Sequence, residues 1–263
     1  MGLRNKIKGL MEISAFDNRA WLTFTKFLFP GENLLVYRYK GFDILTDRTG
    51  GDANGARELM TSPIYRRFFS KMKFDGAANV LDLGANNGGF PLLLAASGIE
   101  LKKVVSVELN PHTFSRLHFN LTRNLDCDLV PVNAALCGEE KTFEMKFGTG
   151  SVSDSIYLES GNEGTKIYKI PGMTFDSIYE AYFENQVIDI CKVDVEGAEF
   201  EVFLEPSHQK VTQCRYLIME IHERGERRAS EILPTIEKLG FIRQETEANS
   251  DPTVHFFINS KTI

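Results

Sequence analysis

Short apolar runs alternate with amphipathic segments from residue 79 to the end of the chain. The apolar runs have the length and composition of β-strands and cover residues 79–84, 103–109, 128–136, 187–195 and 214–222. Helical spacing lies between them, as at Phe114, Leu117 and Leu121 behind the capping pair Asn110-Pro111. This alternation is typical of a parallel sheet covered by helices on both faces. The chain is therefore predicted to have an α/β fold.

The pattern differs at the C-terminal end. A helix is indicated up to Gly240, and it is followed by the apolar segments FIRQETE and TVHFFIN. The stretch ANSDP between these segments is too short for a crossover connection, so the last two strands are predicted to pair in antiparallel fashion. The predicted core is thus a parallel sheet completed by an antiparallel strand pair.

The N-terminal region, residues 1–75, is predicted to form a cap on a core that comprises residues 76–263. Within the cap, residues 33–47 have the pattern of a β-hairpin, and residues 17–29 that of an amphipathic helix ended by Pro30-Gly31. The large apolar side chains of this helix recur every three or four residues, at Trp21, Phe24, Phe27 and Leu28. They are expected to pack on the core, with docking to a membrane or to a partner as the alternative.

Composition and charge narrow the functional classes. The chain has 263 residues, 43% of them hydrophobic, which is enough for one substantial core. Its net charge of −6 and the lack of a basic block make a nucleic acid an unexpected partner. The four cysteines lack metal-binding spacing, and no transmembrane run or signal-peptide cleavage site is present, so a cytoplasmic location is expected. The long polar stretch 148–166 fits a ligand-binding loop and a solvated hairpin tip equally well.

A glycine-rich turn follows the first core strand, in the sequence NVLDLGANNGGF at residues 79–90. Such a turn presents backbone amides at a helix N-terminus, which suits an anionic group of a ligand. Asp82 lies two residues ahead of the first glycine, where its carboxylate would repel a pyrophosphate but would bind an ammonium group. Asn86 also replaces the second glycine of the dinucleotide-binding pattern. The turn residues expected to contact a cofactor are Gly84, Ala85, Asn86 and Gly88.

The ends of the second and third core strands indicate an adenosine-binding site. Glu108 ends the second core strand, where a carboxylate can accept hydrogen bonds from both ribose hydroxyls. Asn133 and Ala134 end the third strand and are candidates for contact with the adenine ring. Because NAD sites use a carboxylate in the same way, Glu108 indicates a ribose without identifying the cofactor.

Ionisable side chains gather at the ends of the next two strands. Lys192, Asp194 and Glu196 alternate along one side of VIDICKVDVEGAEFEVF, and Glu220 and His222 have the same spacing in CRYLIMEIH. Ligands of open α/β sheets bind at the carboxyl ends of the strands, so these groups are predicted to share one crevice. The structural alternative for Lys192 is an internal pair with an acid.

The chain resembles the FkbM-type methyltransferases over about residues 78–222, in the segments DLGANNGGF, SVELNP, NAALCG, MTFDSIYE, KVDVEGAEFEVF and IMEIH. The resemblance implies a Rossmann-like class I methyltransferase fold, with a mostly parallel seven-stranded sheet and a final antiparallel strand. It also implies S-adenosylmethionine as the methyl donor and O-methylation of a hydroxyl on a sugar, glycan or secondary metabolite. By this likeness the cofactor positions are Asp82, Gly84, Asn86 and Glu108, and the second motif contains Lys192, Asp194 and Glu196.

Methyl transfer to a hydroxyl requires in-line geometry and removal of a proton, and two mechanisms fit the residues present. In the first, His222 has the intrinsic pKa of a general base, and Asp194, Lys192 and Glu220 are the other candidate catalytic residues. In the second, Mg²⁺ or Mn²⁺ lowers the pKa of the hydroxyl. The ligands of that ion would be Asp194, Glu196, Glu220 and His222. Glu199 is expected only to complement the dipole of the following helix.

Three other functions fit parts of the pattern. A nicotinamide-dependent oxidoreductase or epimerase would need a pyrophosphate loop, which Asp82 and Asn86 disfavour. A nucleic-acid methyltransferase would share the fold, but the sequence has no Asn-Pro-Pro-Tyr-like segment after the fourth strand. A non-catalytic binding module would keep the cofactor loop, but it would not need the charged groups Lys192, Asp194, Glu220 and His222.

Overall fold

The structure is a computed structural model of the chain. It describes residues 12–29, 31, 33–49, 52, 59–147, 156, 166–244 and 251–261. Within these ranges, no helix has both the length and the apolar character needed to cross a membrane. The polar stretch 148–166 lies outside the described residues except for Ile156 and Lys166.

Helices and strands alternate along the core, as the hydrophobic pattern predicts. The N-terminal region contains α1 (Arg19–Leu28), β1 (Leu34–Tyr39), β2 (Phe42–Asp47) and α2 (Arg66–Phe69). The core begins with β3 (Ala78–Leu83), α3 (Gly89–Ala96), β4 (Leu101–Glu108), α4 (Pro111–Asn124) and β5 (Asp128–Asn133). It continues with β6 (Ala135–Leu136), β7 (Thr142–Lys146), β8 (Ile167–Met173), α5 (Phe175–Tyr182), β9 (Ile188–Val193) and α6 (Glu199–Leu204). A 3₁₀ turn (Gln209–Gln213), β10 (Cys214–Glu220), α7 (Ala229–Lys238), β11 (Phe241–Gln244) and β12 (Val254–Asn259) complete it.

The central sheet has seven strands in the order β11-β12-β10-β9-β3-β4-β5. The pairs from β10 through β5 are parallel, whereas β12 lies antiparallel between β10 and β11. The Rossmann-like class I methyltransferase fold with a final antiparallel strand is therefore confirmed. Because β3 and β9 are neighbours, the glycine-rich turn after β3 lies directly beside the acidic segment after β9.

The predicted third strand, residues 128–136, divides in two. The chain turns after Asn133, whose side-chain amide donates to the backbone oxygens of Glu108 (2.8 Å) and Leu109 (3.0 Å). Residues beyond this turn form β6, which leaves the central sheet and pairs in parallel with β8 in a small second sheet. Side-chain hydrogen bonds, which a hydrophobic pattern does not report, decide where the strand ends.

The helix and the hairpin predicted before the core are confirmed as α1 and as the antiparallel pair β1–β2. The expected packing of α1 is wrong, however. Its buried positions are Leu22 and Thr25, and Thr25 hydrogen-bonds to backbone oxygens of its own helix. The side chains expected in the core are largely exposed, at 55% for Trp21, 46% for Phe24, 67% for Phe27 and 60% for Leu28. The periodicity identified an apolar face, but the core contacts an adjacent side of the helix, which carries Leu22 and Thr25.

The N-terminal region shares one hydrophobic core with the central sheet. Phe16, Tyr37 and Phe68 belong to the same buried cluster as Val80 and Ile218. The fully buried Asn120 joins the two regions in addition. Its side chain bonds to both backbone groups of Leu45 (2.7 and 2.9 Å) and donates to the backbone oxygen of Asn87 in the glycine-rich turn (2.8 Å). The N-terminal region is thus anchored beside the glycine-rich turn.

Candidate active site

A cavity of about 310 Å³ opens at the carboxyl ends of the central strands. The ends of β3, β4, β9 and β10 contribute Gly84, Glu108, Asp194 and Glu220 to its wall. Tyr65, which precedes α2, contributes from the N-terminal region. A cavity of this size with convergent polar groups is typical of a small-molecule site.

The turn after β3 needs glycine at its first position. Gly84 has a φ of +74°, and a Cβ atom there would lie 1.7 Å from the backbone oxygen of Asp194. The amides of Gly84 and Ala85 both donate to the backbone oxygen of Val107, at 3.0 and 2.9 Å. The turn is therefore held between β4 and β9, and it lines the cavity with Ala85 and Asn86.

Glu108, at the end of β4, is nearly buried, and its carboxylate binds two backbone amides. One carboxylate oxygen accepts from the amide of Asn86 and the other from the amide of Asn110, both at 2.8 Å. Glu108 therefore fixes the turn as well as lining the cavity. Each carboxylate oxygen has two acceptor positions, so the side chain can serve the protein backbone and a ligand together.

Three predicted cofactor residues lie elsewhere than expected. Asp82 is fully buried and is not part of the cavity wall. The side-chain amide of Asn133 donates to the backbone oxygen of Glu108, and Ala134, not Asn133, lines the cavity. A Cβ atom on Gly88 would lie 3.1 Å from Leu121, so this glycine serves the packing of α3 on α4. Local spacing predicted that these residues contact the cofactor. The elements packed around them determine which side chains line the cavity.

Lys192 is part of the cavity wall, but its side chain is almost entirely buried. Its ammonium group lies 3.1 Å from Asp194 and 3.4 Å from Asp82, and it donates to the backbone oxygen of Gly84 at 3.1 Å. Burial lowers the pKa of Lys192, but the carboxylates of Asp194 and Asp82 outweigh burial and raise it. Lys192 therefore remains charged and makes the internal ion pair that the sequence left as its structural alternative. Burial also raises the pKa of Asp82 to about 6, against the lowering effect of Lys192.

His222, two residues after the end of β10, faces three carboxylates. Its Nε2 lies 3.6 Å from Glu220, 3.7 Å from Glu196 and 3.8 Å from Asp194. Burial lowers the pKa of His222, but the hydrogen bond to Glu199 and the charges of the surrounding acids raise it to about 9. The carboxylates also act on one another. Burial and the neighbouring acids raise the pKa of Glu196 to about 7, and they also raise the pKa of Glu220. Without further ligands, His222 is an imidazolium at neutral pH.

Glu199 has a larger part than the sequence suggested. It lies in the first turn of α6, as expected, but it is fully buried and bonds to Nδ1 of His222 at 3.0 Å. It also accepts from the amides of Val195 (3.1 Å) and Gly197 (2.9 Å). Glu199 therefore sets both the shape of the β9–α6 turn and the direction of the His222 ring. An acid in a first helical turn gives no sign in the sequence of such a distant partner.

Tyr65 is a site residue that sequence reasoning missed. Its hydroxyl donates to Glu220 at 3.0 Å and lies 3.3 Å from Asp194. The ring is buried against Phe90 of α3, with the centroids 5.6 Å apart in an edge-to-face arrangement. Tyr65 is 129 residues from Asp194 and 155 from Glu220 in the chain, and no local pattern links them.

Part of the predicted metal-ligand set converges. Asp194, Glu220 and His222 can each offer one ligand atom, all within 4.8 Å of one another, and Glu196 lies beside His222. A metal-bound imidazole commonly bonds to a carboxylate through its other nitrogen, as His222 does to Glu199. The donor set therefore fits a divalent cation with oxygen and imidazole ligands.

Comparison with solved structures returned methyltransferases of low sequence identity. The FkbM methyltransferase from Methylobacillus flagellatus KT is 13% identical, with a TM-score of 0.46, over 74% of this chain and 47% of that one. This chain thus spans about half the length of that protein. The M. capricolum TrmK complex with S-adenosyl-homocysteine is 11% identical, with a TM-score of 0.43, over 76% of this chain and 70% of that one. A Pyrococcus furiosus methyltransferase is 15% identical, with a TM-score of 0.42, over 93% and 99% of the two chains.

No curated protein sequence matches the chain. A family model, the methyltransferase FkbM domain, matches residues 82–243, more than half of the chain. The matched range includes the glycine-rich turn, Glu108, and His222 with the acids around it. The match confirms the resemblance drawn from the sequence motifs. The chain belongs to the FkbM methyltransferase domain family.

Proposed function

We propose that this methyltransferase uses S-adenosylmethionine to methylate a hydroxyl group on a sugar, a glycan or a secondary metabolite. The observation that carries the proposal is that one cavity is lined both by the turn with Glu108 and by Asp194 and Glu220. The glycine-rich turn and Glu108 suit a nucleoside cofactor, whereas Asp194 and Glu220 suit removal of a proton from an acceptor. A binding module without catalysis would have no need of the second group.

The cavity wall fits the proposed cofactor. Glu108 would accept from the ribose hydroxyls, Ala134 would lie beside the adenine, and the turn from Gly84 to Asn86 would hold the methionine end. When bound, S-adenosylmethionine supplies a methyl group on a positively charged sulfur. Asp82 would act only through Lys192, because it is buried beneath the wall. This arrangement replaces the direct contact between Asp82 and the ammonium group that the sequence suggested.

The acceptor proton is best assigned to a carboxylate. His222, with its pKa raised to about 9, already carries a proton at neutral pH and cannot accept another. Glu220 lines the cavity, and its raised pKa favours proton uptake. We therefore assign Glu220 as the general base, with the His222 imidazolium as its counter-ion. Lys192 would hold the glycine-rich turn through the backbone oxygen of Gly84, and Asp194 would orient the acceptor.

A divalent cation at Asp194, Glu220 and His222 is the second candidate mechanism, because each of these residues can offer one ligand atom. Such an ion would lower the pKa of the acceptor hydroxyl and would require neutral His222. The carboxylate mechanism predicts that treatment with EDTA leaves the rate of methyl transfer unchanged. A loss of activity that Mg²⁺ or Mn²⁺ restores would instead establish the cation mechanism.

Replacement of Glu108 tests the cofactor site. Titration calorimetry should show micromolar binding of S-adenosylhomocysteine and no binding of NAD. Glu108→Ala should weaken the former at least about tenfold, roughly 1.4 kcal/mol, because it removes the ribose acceptor. Glu139→Ala, a change at an exposed acid outside the cavity, is the matched control. Glu108 also holds the turn, so weaker binding could come from a disturbed fold. A thermal melt of Glu108→Ala, and the binding of the milder variant Glu108→Gln, separate loss of the ribose contact from loss of folding. If wild-type protein fails to bind S-adenosylhomocysteine, the proposed donor is wrong.

Asp194→Asn separates an enzyme from a binding module. The variant keeps the size of the side chain but removes the charge beside Lys192 and His222. Transfer to an acceptor found by screening hydroxyl compounds should fall about 100-fold or more, whereas affinity for S-adenosylhomocysteine should stay within about threefold. Parallel loss of both properties would show that Asp194 is structural.

Tyr65→Phe tests the assignment of Glu220. Burial and Asp194 raise the pKa of Glu220, and the hydrogen bond from Tyr65 lowers it. A general base must be deprotonated, so activity rises as pH passes upward through its pKa. Removal of the hydroxyl should therefore move the acidic limb of the pH–rate profile to higher pH, with cofactor affinity unchanged. Tyr182→Phe, remote from the cavity wall, should leave the profile in place. An unmoved limb in Tyr65→Phe would contradict the role of Glu220.

A further inference from the structure

Asn87 belongs to the glycine-rich turn, and its side chain has no part in the function proposed so far. The residue lines the cavity and is only 1% exposed. Its backbone amide donates to Oδ1 of Asn86, and its backbone oxygen accepts from the side chain of Asn120, both at 2.8 Å. The buried side-chain nitrogen Nδ2, by contrast, has no hydrogen-bond partner among the described residues.

An amide nitrogen that is buried without a partner destabilises a fold, because it has lost its contact with water and gained no acceptor in return. Such groups are rare in native proteins unless a ligand, a water molecule or an ion completes them. The position of Asn87 in the cavity wall favours a ligand. The NH2 group of an asparagine side chain only donates, so the partner it lacks is an acceptor atom of that ligand.

The helix that follows Asn87 begins without a cap. Gly88, the N-cap residue of α3, has no side chain to accept from the helix, and the first turn contains no acidic residue. The first backbone amides of a helix have no acceptor within the helix. In α3 these are the amides of Gly89 and Phe90, which are both buried, and Phe90 also lines the cavity. A buried and uncapped helix N-terminus favours an anionic group of a ligand.

We propose that Asn87 and the N-terminus of α3 bind the carboxylate at the methionine end of S-adenosylmethionine. This inference rests on the proposed function, in which the adjoining turn holds the methionine end of the cofactor. The ribose hydroxyls donate to Glu108, and the ammonium group of the cofactor is itself a donor. The carboxylate is the anionic group of the cofactor, and its two oxygens accept from the Asn87 side chain and from the first amides of α3. Binding at this point fixes the direction of the methyl group in the cavity.

Titration calorimetry with two ligands tests the contact: S-adenosylhomocysteine and its decarboxylated analogue, which keeps the ammonium group. Asn87→Ala should weaken the binding of S-adenosylhomocysteine about tenfold, because a charge-assisted hydrogen bond to the carboxylate is lost. The same variant should bind the decarboxylated analogue within about twofold of the wild-type affinity. Asn87→Asp should weaken the binding of S-adenosylhomocysteine further, because two carboxylates would then face each other. Equal effects of Asn87→Ala on both ligands, or no effect on either, would overturn the proposal.

A thermal melt of the free protein separates this role from a structural one. Asn120→Ala removes hydrogen bonds that hold the turn and should lower the melting temperature clearly, whereas Asn87→Ala removes no such bond from Nδ2 and should lower it less. Asn33→Ala, at an exposed position outside the cavity wall, is the matched control and should change neither melting nor binding. If the wild-type protein binds neither ligand, the proposed function fails as well. If it binds both and Asn87→Ala does not discriminate between them, this inference alone is wrong.

Discussion

The buried ammonium group of Lys192 is the interaction on which the site depends. A charge withdrawn from water costs several kcal/mol unless it is paired, and Lys192 is almost entirely enclosed. Two carboxylates, Asp82 and Asp194, and the backbone oxygen of Gly84 surround it. Asp82 and Lys192 are register partners on the adjacent parallel strands β3 and β9. The pair therefore joins the ends of β3 and β9, and the cavity lies at these ends.

The geometry of the cavity follows from that contact. Lys192 bonds to Gly84 on one side and to Asp194 on the other, and Gly84 leaves no room for a side chain next to the Asp194 backbone. The glycine-rich turn and Asp194 thus form one unit with Lys192. Methyl transfer depends on in-line placement of donor and acceptor, and a unit of this kind preserves their separation.

The second half of the site is governed by an excess of acidic groups. Glu199 orients His222, and His222 lies close to the carboxylates of Asp194, Glu196 and Glu220. Tyr65 contacts Asp194 and Glu220 from another side, and Lys192 contacts Asp194. The pKa of Glu196, raised to about 7, and that of His222, raised to about 9, both express this crowding. Because Tyr65 comes from the N-terminal region, that region forms part of the cavity wall. The proposed catalysis therefore depends on the anchoring of this region to the core.

The sequence by itself determined the fold, the family and the strand ends at which the ionisable groups lie. Periodicity and spacing are local properties, and they sufficed for the central sheet, the β1–β2 hairpin and the glycine-rich turn. The tertiary structure decided which side chains reach the cavity. It buried Asp82, turned Asn133 away, joined Glu199 to His222, brought in Tyr65 and left the aromatic side of α1 uncovered. Each of these outcomes depends on contacts between residues far apart in the chain, and the free energies of burial and pairing that select them do not appear in any local pattern.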